Sequence, residues 1–244
     1  GLDPAYVAEL LGVSEEEAMR QATESRRVFR DPTSGIYEIE EGYLSGNVRA
    51  KLKQAQAEVD KGHSEYLANV EALTNVLPEW KTANKIDVRM SSRWVDSAIL
   101  EEFMRDRLGT ESSLHYVPEL NGYSVTVIDD RSGDAEFSTE SIRFPKVLKH
   151  SLNGTSPKIY KPSPDGQSRV IDKDATVKAQ AKVTALDRAF ESWFRTADGE
   201  IEVDGEKIAT FDHIETLFNN TKNASVEPQY TGEYMTLPGL ANTV

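Results

Sequence analysis

The chain has 244 residues, is 38% hydrophobic and 28% charged, and carries a formal net charge of −13. That length buries a core as one large domain or two modest ones, and the composition is that of a globular chain rather than a disordered one. No apolar run approaches the ~18–20 residues that span a bilayer, and the lack of cysteine excludes disulfides, thiolate chemistry and zinc-finger ligand sets while fitting a reducing cytoplasm.

No basic stretch followed by an apolar segment opens the chain, so it shows no secretory signal. Asp3 before Pro4 reads as an N-cap with proline at the first helical position, opening a short helix through Leu10 and Leu11 that Gly12 closes. Ser14 and Glu17 have capping-box spacing and open a second helix to about residue 24. Residues 27–30 and 35–39 read as two strands joined by the turn Asp31-Pro32-Thr33-Ser34-Gly35. Two helices followed by a hairpin predict a winged-helix-like unit over residues 1–42. Its second helix starts on Glu15, Glu16 and Glu17, which suits a structural or docking role better than base reading, because a recognition helix brings its N-terminal end close to phosphates.

Residues 43–59 predict a polar helix with a sparse stripe of Leu44, Val48, Leu52 and Val59, broken near Gly62. A second helix over 64–76 carries Leu67, Val70, Leu73 and Leu77, so residues 43–78 are expected as a helical hairpin ended by Pro78. An α+β core with long helices is expected over 79–218. Its predicted elements begin with a strand at 86–90, a helix at 94–108 stopped by Gly109, and paired strands at 114–117 and 123–128. A helix at 144–152 and short strands at 158–160 and 169–171 follow. Asp174 reads as the cap of a long helix to about residue 195, then an acidic turn spans 198–206. A last helix runs through Ile208, Phe211, Ile214, Leu217 and Phe218, and residues 219–244 read as a linker. The fold class is α+β, helix-rich, with a small antiparallel sheet and an N-terminal winged-helix-like unit.

Catalytic signatures are missing. The sequence holds no Gly-x-x-x-x-Gly-Lys-Ser/Thr loop, no Gly-x-Gly-x-x-Gly, no His-Glu-x-x-His, no Gly-x-Ser-x-Gly and no Asn/Asp-Pro-Pro-Tyr/Phe tetrad. His63, His115, His150 and His213 lie far apart without metal-ligand spacing. Asp129, Asp130, Asp134 and Glu136 surround a Ser-Gly pair as a hairpin turn does and lack the spacing of a calcium loop. No catalytic and no metal-ligating residues are therefore expected.

Charge is unevenly spread. Between Arg143 and Lys182 nine Lys or Arg stand against three Asp, a local +6, while the remainder of the chain carries −19. Because salt screens charges beyond ~8–10 Å, a local basic surface on an acidic chain still holds phosphates. Arg143, Lys146, Lys149, Lys158, Lys161 and Arg169 are the candidate nucleic-acid contacts, the alternative being a solvated loop and helix. Arg89 and Arg93 beside Trp94 form a second candidate, two cations next to a ring suited to stacking on a base. Its alternative is a Trp94 packed in the core with the arginines paired to Glu101 or Glu102.

Four strings occur in order: Tyr43-Leu44-Ser45-Gly46-Asn47-Val48-Arg49-Ala50-Lys51-Leu52, Asp87-Val88-Arg89 leading to Trp94, Ala189-Phe190-Glu191-Ser192-Trp193-Phe194, and Tyr230-Thr231-Gly232 with Leu237-Pro238-Gly239. Together they resemble the segment before the SNF2-like helicase motor in large DNA methyltransferase–helicase fusion proteins of phages and conjugative elements, whose relatives serve antirestriction. One departure is Met90-Ser91-Ser92-Arg93, where relatives carry an aliphatic-Gly-Ala run before the tryptophan. The resemblance spans nearly the whole chain. It implies a fragment of a longer ATP-dependent DNA helicase with a methyltransferase, with residues 219–244 leading toward the motor. The start at Gly1 and the end after the Leu-Pro-Gly turn read the same way. ATP and S-adenosylmethionine are then expected for the parent only, and no cofactor for this fragment. The expected role is a non-catalytic accessory domain whose partners are duplex DNA, held weakly and non-specifically in a salt-sensitive way, and other domains of the parent, with no membrane contact. The alternative is an acidic protein-docking or DNA-mimic scaffold without nucleic-acid contact.

Overall fold

The computed structural model describes residues 1–128, 131–164 and 166–229. The chain is α+β and helix-rich, and among the described residues the strands form five separate two-stranded antiparallel ladders instead of one sheet. The described residues divide into two units, 1–80 with 220–229, and Lys81–Asn219.

The first unit begins with α1 (Pro4–Leu11), where the Asp3 carboxylate accepts the Ala5 N–H at 3.0 Å, and which ends at a left-handed Gly12. In α2 (Glu15–Glu24) the Ser14 hydroxyl accepts the Glu17 N–H at 3.3 Å. Glu17 itself reaches forward to Arg20 and Gln21, so only half of the expected capping box forms. The hairpin β1 (Val28–Arg30) and β2 (Tyr37–Ile39) follows, its turn held by Asp31 accepting from Thr33 and Ser34 at 3.0 and 2.7 Å. Helix, helix, hairpin is the order expected over residues 1–42.

The single helix expected from residue 43 is corrected to two helices with a strand between them: α3 (Glu40–Tyr43), β3 (Gly46–Asn47) and α4 (Val48–Asp60). Gly46 adopts φ +69°, which stops one helix, and the Asn47 side chain accepts the Ala50 N–H at 2.9 Å, which starts the next. Lys51 bonds the carbonyls of Tyr43 and Ser45 at 2.7 and 3.1 Å, closing the end of α3. After a 3₁₀ turn at Ser64–Tyr66, α5 (Leu67–Asn75) packs against α4. Tyr43 is fully buried there, and the buried Asn69 amide donates to its hydroxyl and to the Arg30 carbonyl, both at 2.9 Å. Burial pushes the Tyr43 phenol up to about 12.

The second unit opens on a 3₁₀ turn at Ala83–Lys85. Residues 86–90 alternate as expected, with Ile86, Val88 and Met90 buried and Asp87 and Arg89 exposed, yet they pair with no strand among the described residues. The predicted strand is thus an extended segment pinned by its own side chains. The helix predicted over 94–108 is corrected to α6 (Ser97–Leu108), which leaves Trp94 outside it because Asp96 is the cap. Asp96 accepts the Ile99 N–H at 3.0 Å and meets His213 Nε2 at 2.7 Å. Burial alone would raise this carboxyl, but the bonds from His213 and Ile99 outweigh it and hold it below the usual carboxylate range. A lowered native pKa stabilises the fold above the unfolded value of ~3.9, and the contribution is lost as pH falls through the native one. Asp96→Ala is therefore expected to lower stability by about 1 kcal/mol at pH 7, a difference that shrinks in acid. Thermal melts of both proteins at pH 7 and pH 3 measure it.

The ladder β4 (Ser112–Val117) and β5 (Gly122–Val127) forms as predicted. Around Asp134, where a hairpin turn was expected, stands a helix, α7 (Arg131–Phe137). Asp129 and Asp130 lie outside the described residues. Asp134 accepts from the Ser138 hydroxyl and from the Phe144 N–H at 3.0 Å, and so opens α8 (Phe144–Leu152). The hairpin β6 (Tyr160–Pro162) and β7 (Arg169–Ile171) leads into α9 (Lys173–Phe194). Its cap is Asp172, which accepts the Ala175 N–H at 3.1 Å; the predicted cap, Asp174, sits inside the first turn. The expected acidic turn over 198–206 is instead a hairpin, β8 (Glu200–Val203) and β9 (Glu206–Ala209), joined by Asp204 and Gly205 at φ +53° and +83°. A two-residue Asp-Gly loop with both φ positive matches the right-handed twist of the flanking strands. Last comes α10 (Thr210–Thr221). The core of this unit centres on Phe103, Phe190, Trp193 and Phe194, all buried.

Within the segment expected as a linker, β10 (Ser225–Val226) pairs with β3. Arg49 holds this return: it donates to the Asn223 carbonyl at 3.3 Å and to the Pro78 carbonyl, and lies 5.2 Å from the Trp80 ring centre. The two ends of the second unit are joined by Asn219, which accepts the Lys81 N–H at 3.0 Å and donates to its carbonyl at 2.8 Å.

Candidate nucleic-acid interface

The basic segment runs over α8, the β6–β7 hairpin and the first half of α9, and α8 packs on α9. On α8 the spacing is decisive. Phe144, Val147, Leu148, Ser151 and Leu152 are buried, which leaves Lys146 and Lys149, one turn apart, on the outer side. The hairpin is tied to α9 at its base, where the Ile159 N–H donates to the Thr176 hydroxyl at 3.0 Å and the Asp172 N–H to the Ile159 carbonyl at 2.8 Å.

The nine cations of the segment divide by what they bond. Arg143 pairs with Asp134, Lys161 with Asp172 at 3.3 Å, and Lys182 donates to the Glu136 carbonyl. Those three have partners within the protein. Lys146, Lys149, Lys158, Arg169, Lys173 and Lys178 are exposed, and their side chains have no ion-pair or hydrogen-bond partner among the described residues. Six unneutralised charges on three consecutive elements are what an extended polyanion would meet. Asp172 is held ionised, below the usual carboxylate range, by the Ala175 N–H and Lys161, and its charge is matched by Lys161 at 3.3 Å.

The second candidate group is spread differently. Trp94 is half-buried and packs edge-on against Phe218 and Phe194, with ring centres 5.0 and 6.0 Å away. Arg93 lies over the Tyr116 ring at 5.1 Å and donates to the Asn121 carbonyl. Neither arginine pairs with the glutamates considered as partners. Glu101 accepts the Leu114 N–H at 2.9 Å and Glu102 pairs with Arg105. Arg89 is exposed and acts electrostatically on Asp187, which burial pushes up despite its bond from Ser151. In the Met90-Ser91-Ser92-Arg93 departure, the Ser92 hydroxyl accepts the Arg89 N–H at 3.0 Å.

The structure adds what the charge pattern omitted: Tyr160, Val170 and Ile171 stand exposed among the cations of the hairpin. Short strands were expected at 158–160 and 169–171; the second forms there and the first two residues later, and three-residue strands carry no sign of which face is covered.

The four histidines have separate partners, Glu58, Ser113, Thr155 and Asp96. Among the described residues no three His, Cys, Asp or Glu are placed to hold a metal ion, and no helix is long and apolar enough to cross a membrane. A cleft of about 680 Å³ in the first unit is lined by Arg26, Arg27, Glu40 and Glu41 beside Leu44 and Val76, with Arg27 4.0 Å from Glu40.

The strings that carry the resemblance have structural duties. Tyr43, Asn47, Arg49 and Lys51 fasten the first unit, while Phe190, Trp193 and Phe194 fill the core of the second. The last string, from Tyr230 to Gly239, lies outside the described residues. Set against known proteins, residues 89–224 match the model of a family described as Domain of unknown function (DUF8437). No curated protein and no solved structure matches the chain.

Proposed function

We propose, for a chain that belongs to the DUF8437 family, a non-catalytic accessory role in which α8, the β6–β7 hairpin and the start of α9 hold duplex DNA through its phosphates. One observation carries the reading: Lys146, Lys149, Lys158, Arg169, Lys173 and Lys178 remain exposed and unneutralised on a chain whose net charge is −13. Binding of this kind depends on counterion release, so it is weak, independent of sequence and steeply salt-dependent. The resemblance of the four strings supports placing the domain beside an ATP-dependent helicase motor in a methyltransferase fusion, where its partners are DNA and the other domains of that protein. ATP and S-adenosylmethionine belong, in this reading, to those other domains.

The test is anisotropy of a labelled 30-mer duplex across a salt series. The fourfold variant Lys146→Glu, Lys149→Glu, Lys158→Glu, Arg169→Glu is expected to flatten the log–log salt slope by roughly 3–4, near 0.9 for each phosphate that is no longer neutralised. Flat anisotropy at the lowest salt defeats the DNA reading. A second reading then takes its place, an acidic docking module, which has its own support. Tyr6, Leu10, Leu11 and Val13 are exposed around α1 among Glu9, Glu15 and Glu16.

A further inference from the structure

We infer that the β6–β7 hairpin is a stacking platform for an unpaired base, so that the basic segment takes single-stranded nucleic acid in preference to duplex. The inference rests on the reading that this segment holds nucleic acid, and goes beyond it in naming the strand state and the stacking group.

All six ladder residues are exposed, including Tyr160 at 47%, Ile171 at 46% and Val170 at 39%. The comparable hairpin β8–β9 buries Ile201 and half-buries Val203 and Ile208, as a short ladder lying on a core does. On β6–β7 neither face is covered, although three of its six side chains are large and apolar. Register shows what is displayed: Tyr160 stands opposite Ile171, and Pro162 opposite Arg169. Directly opposed residues share a face, so one side of the ribbon carries a phenol ring, a branched aliphatic chain, a proline and a guanidinium. Lys161 and Val170 occupy the other face.

The ligand chemistry follows from that mixture. Lys158 and Lys173, both at the base of the ladder beside the Tyr160–Ile171 pair, are exposed cations without partners among the described residues, as is Arg169 within it. A polyanion satisfies them, and flat apolar faces satisfy Tyr160 and Ile171. A duplex offers the charge but hides its base faces in the stack; a single strand offers both. The platform is also fixed in place, through the Ile159 and Thr176 bonds at its base and the Ser163 N–H to Ser168 carbonyl bond of 2.9 Å beyond it. Little ordering is therefore left to binding.

The experiment uses the full chain with a 15-mer single strand carrying a central 2-aminopurine, whose emission falls when the base stacks on an aromatic ring. The matching duplex is the control. Single-strand binding is expected to be tighter than duplex binding and accompanied by quenching. Tyr160→Ala should abolish the quench and weaken single-strand affinity roughly tenfold at constant salt slope, because stacking releases no counterions. Tyr160→Phe, which keeps the ring, should behave as the parent. If the fourfold charge reversal flattens the slope while Tyr160→Ala leaves affinity and quenching unchanged, phosphate holding stands and the stacking platform falls. Duplex binding that equals or exceeds single-strand binding also overturns the platform. If neither form of DNA is bound at the lowest salt, both readings fall together.

Discussion

Phe190→Ala is expected to destabilise the second unit by about 3–5 kcal/mol, the range for removing a fully buried aromatic ring. Phe190 has no exposure and meets three other rings: Phe103 edge-on at 5.2 Å, Trp193 stacked at 6.0 Å and Phe194 at 6.0 Å. Two of these neighbours sit on α9 itself and the third on α6, so rings held on two helices would line the space left behind. Against a typical total of about 5–15 kcal/mol, the loss takes a large share of stability. Urea unfolding read by tryptophan fluorescence suits the measurement, since Trp94 and Trp193 both lie in this unit. The midpoint should fall with little change in m, and Phe190→Leu should recover most of the difference. A leucine variant with the parent's midpoint would mean that the ring pairs add nothing beyond volume, and one with the alanine variant's midpoint would mean that filling the space recovers nothing.

The second large effect concerns Gly133. In an exposed helix interior, Gly→Ala stabilises by roughly 1 kcal/mol. At residue 133 the sign should reverse. A methyl group there would lie 2.3 Å from Cδ1 of Phe144 and 2.5 Å from its Cε1, and Phe144 is fully buried. The ring has nowhere to go without moving Phe137, whose ring centre is 6.2 Å away. Overpacking of this kind costs about 1–3 kcal/mol, and the rigid surroundings argue for the upper end. Gly133→Ala with Phe144→Leu makes the close approach testable: the double variant should be more stable than the sum of the two single changes predicts. Strict additivity would show that the glycine is not needed for room.

Elements with local punctuation were legible from residues alone. Asp3-Pro4 with Gly12 bounded α1, and residues 144–152 matched α8 to the residue. Misreadings arose where one residue redirected the chain. Gly46 and Asn47 split a continuous helical pattern, and Asp204-Gly205, a strong hairpin signal, was hidden in an acidic run taken as plain turn. The strand predicted over 86–90 failed for another reason: alternation specifies burial on one side, but a strand needs a partner, and none is written locally. The candidate interface divides the same way. The cation run was visible in composition, whereas its sorting depends on Asp134, Glu136 and Asp172 being brought to Arg143, Lys182 and Lys161 by the fold. Trp94 meets rings on α9 and α10, more than ninety residues downstream.

The pairing of Ser225–Val226 with Gly46–Asn47 has a consequence for the order in which the molecule comes into being. A ribosome making this chain completes all of Lys81–Asn219 before it reaches the strand that finishes what it began. At about 5–20 residues per second, that interval is on the order of ten seconds. During it the later unit, its ends fastened by Asn219, has everything it needs to fold, while the edge at Gly46 and the Arg49 side chain wait for partners not yet synthesised. Of the two units, the one whose synthesis starts earlier is thus completed later.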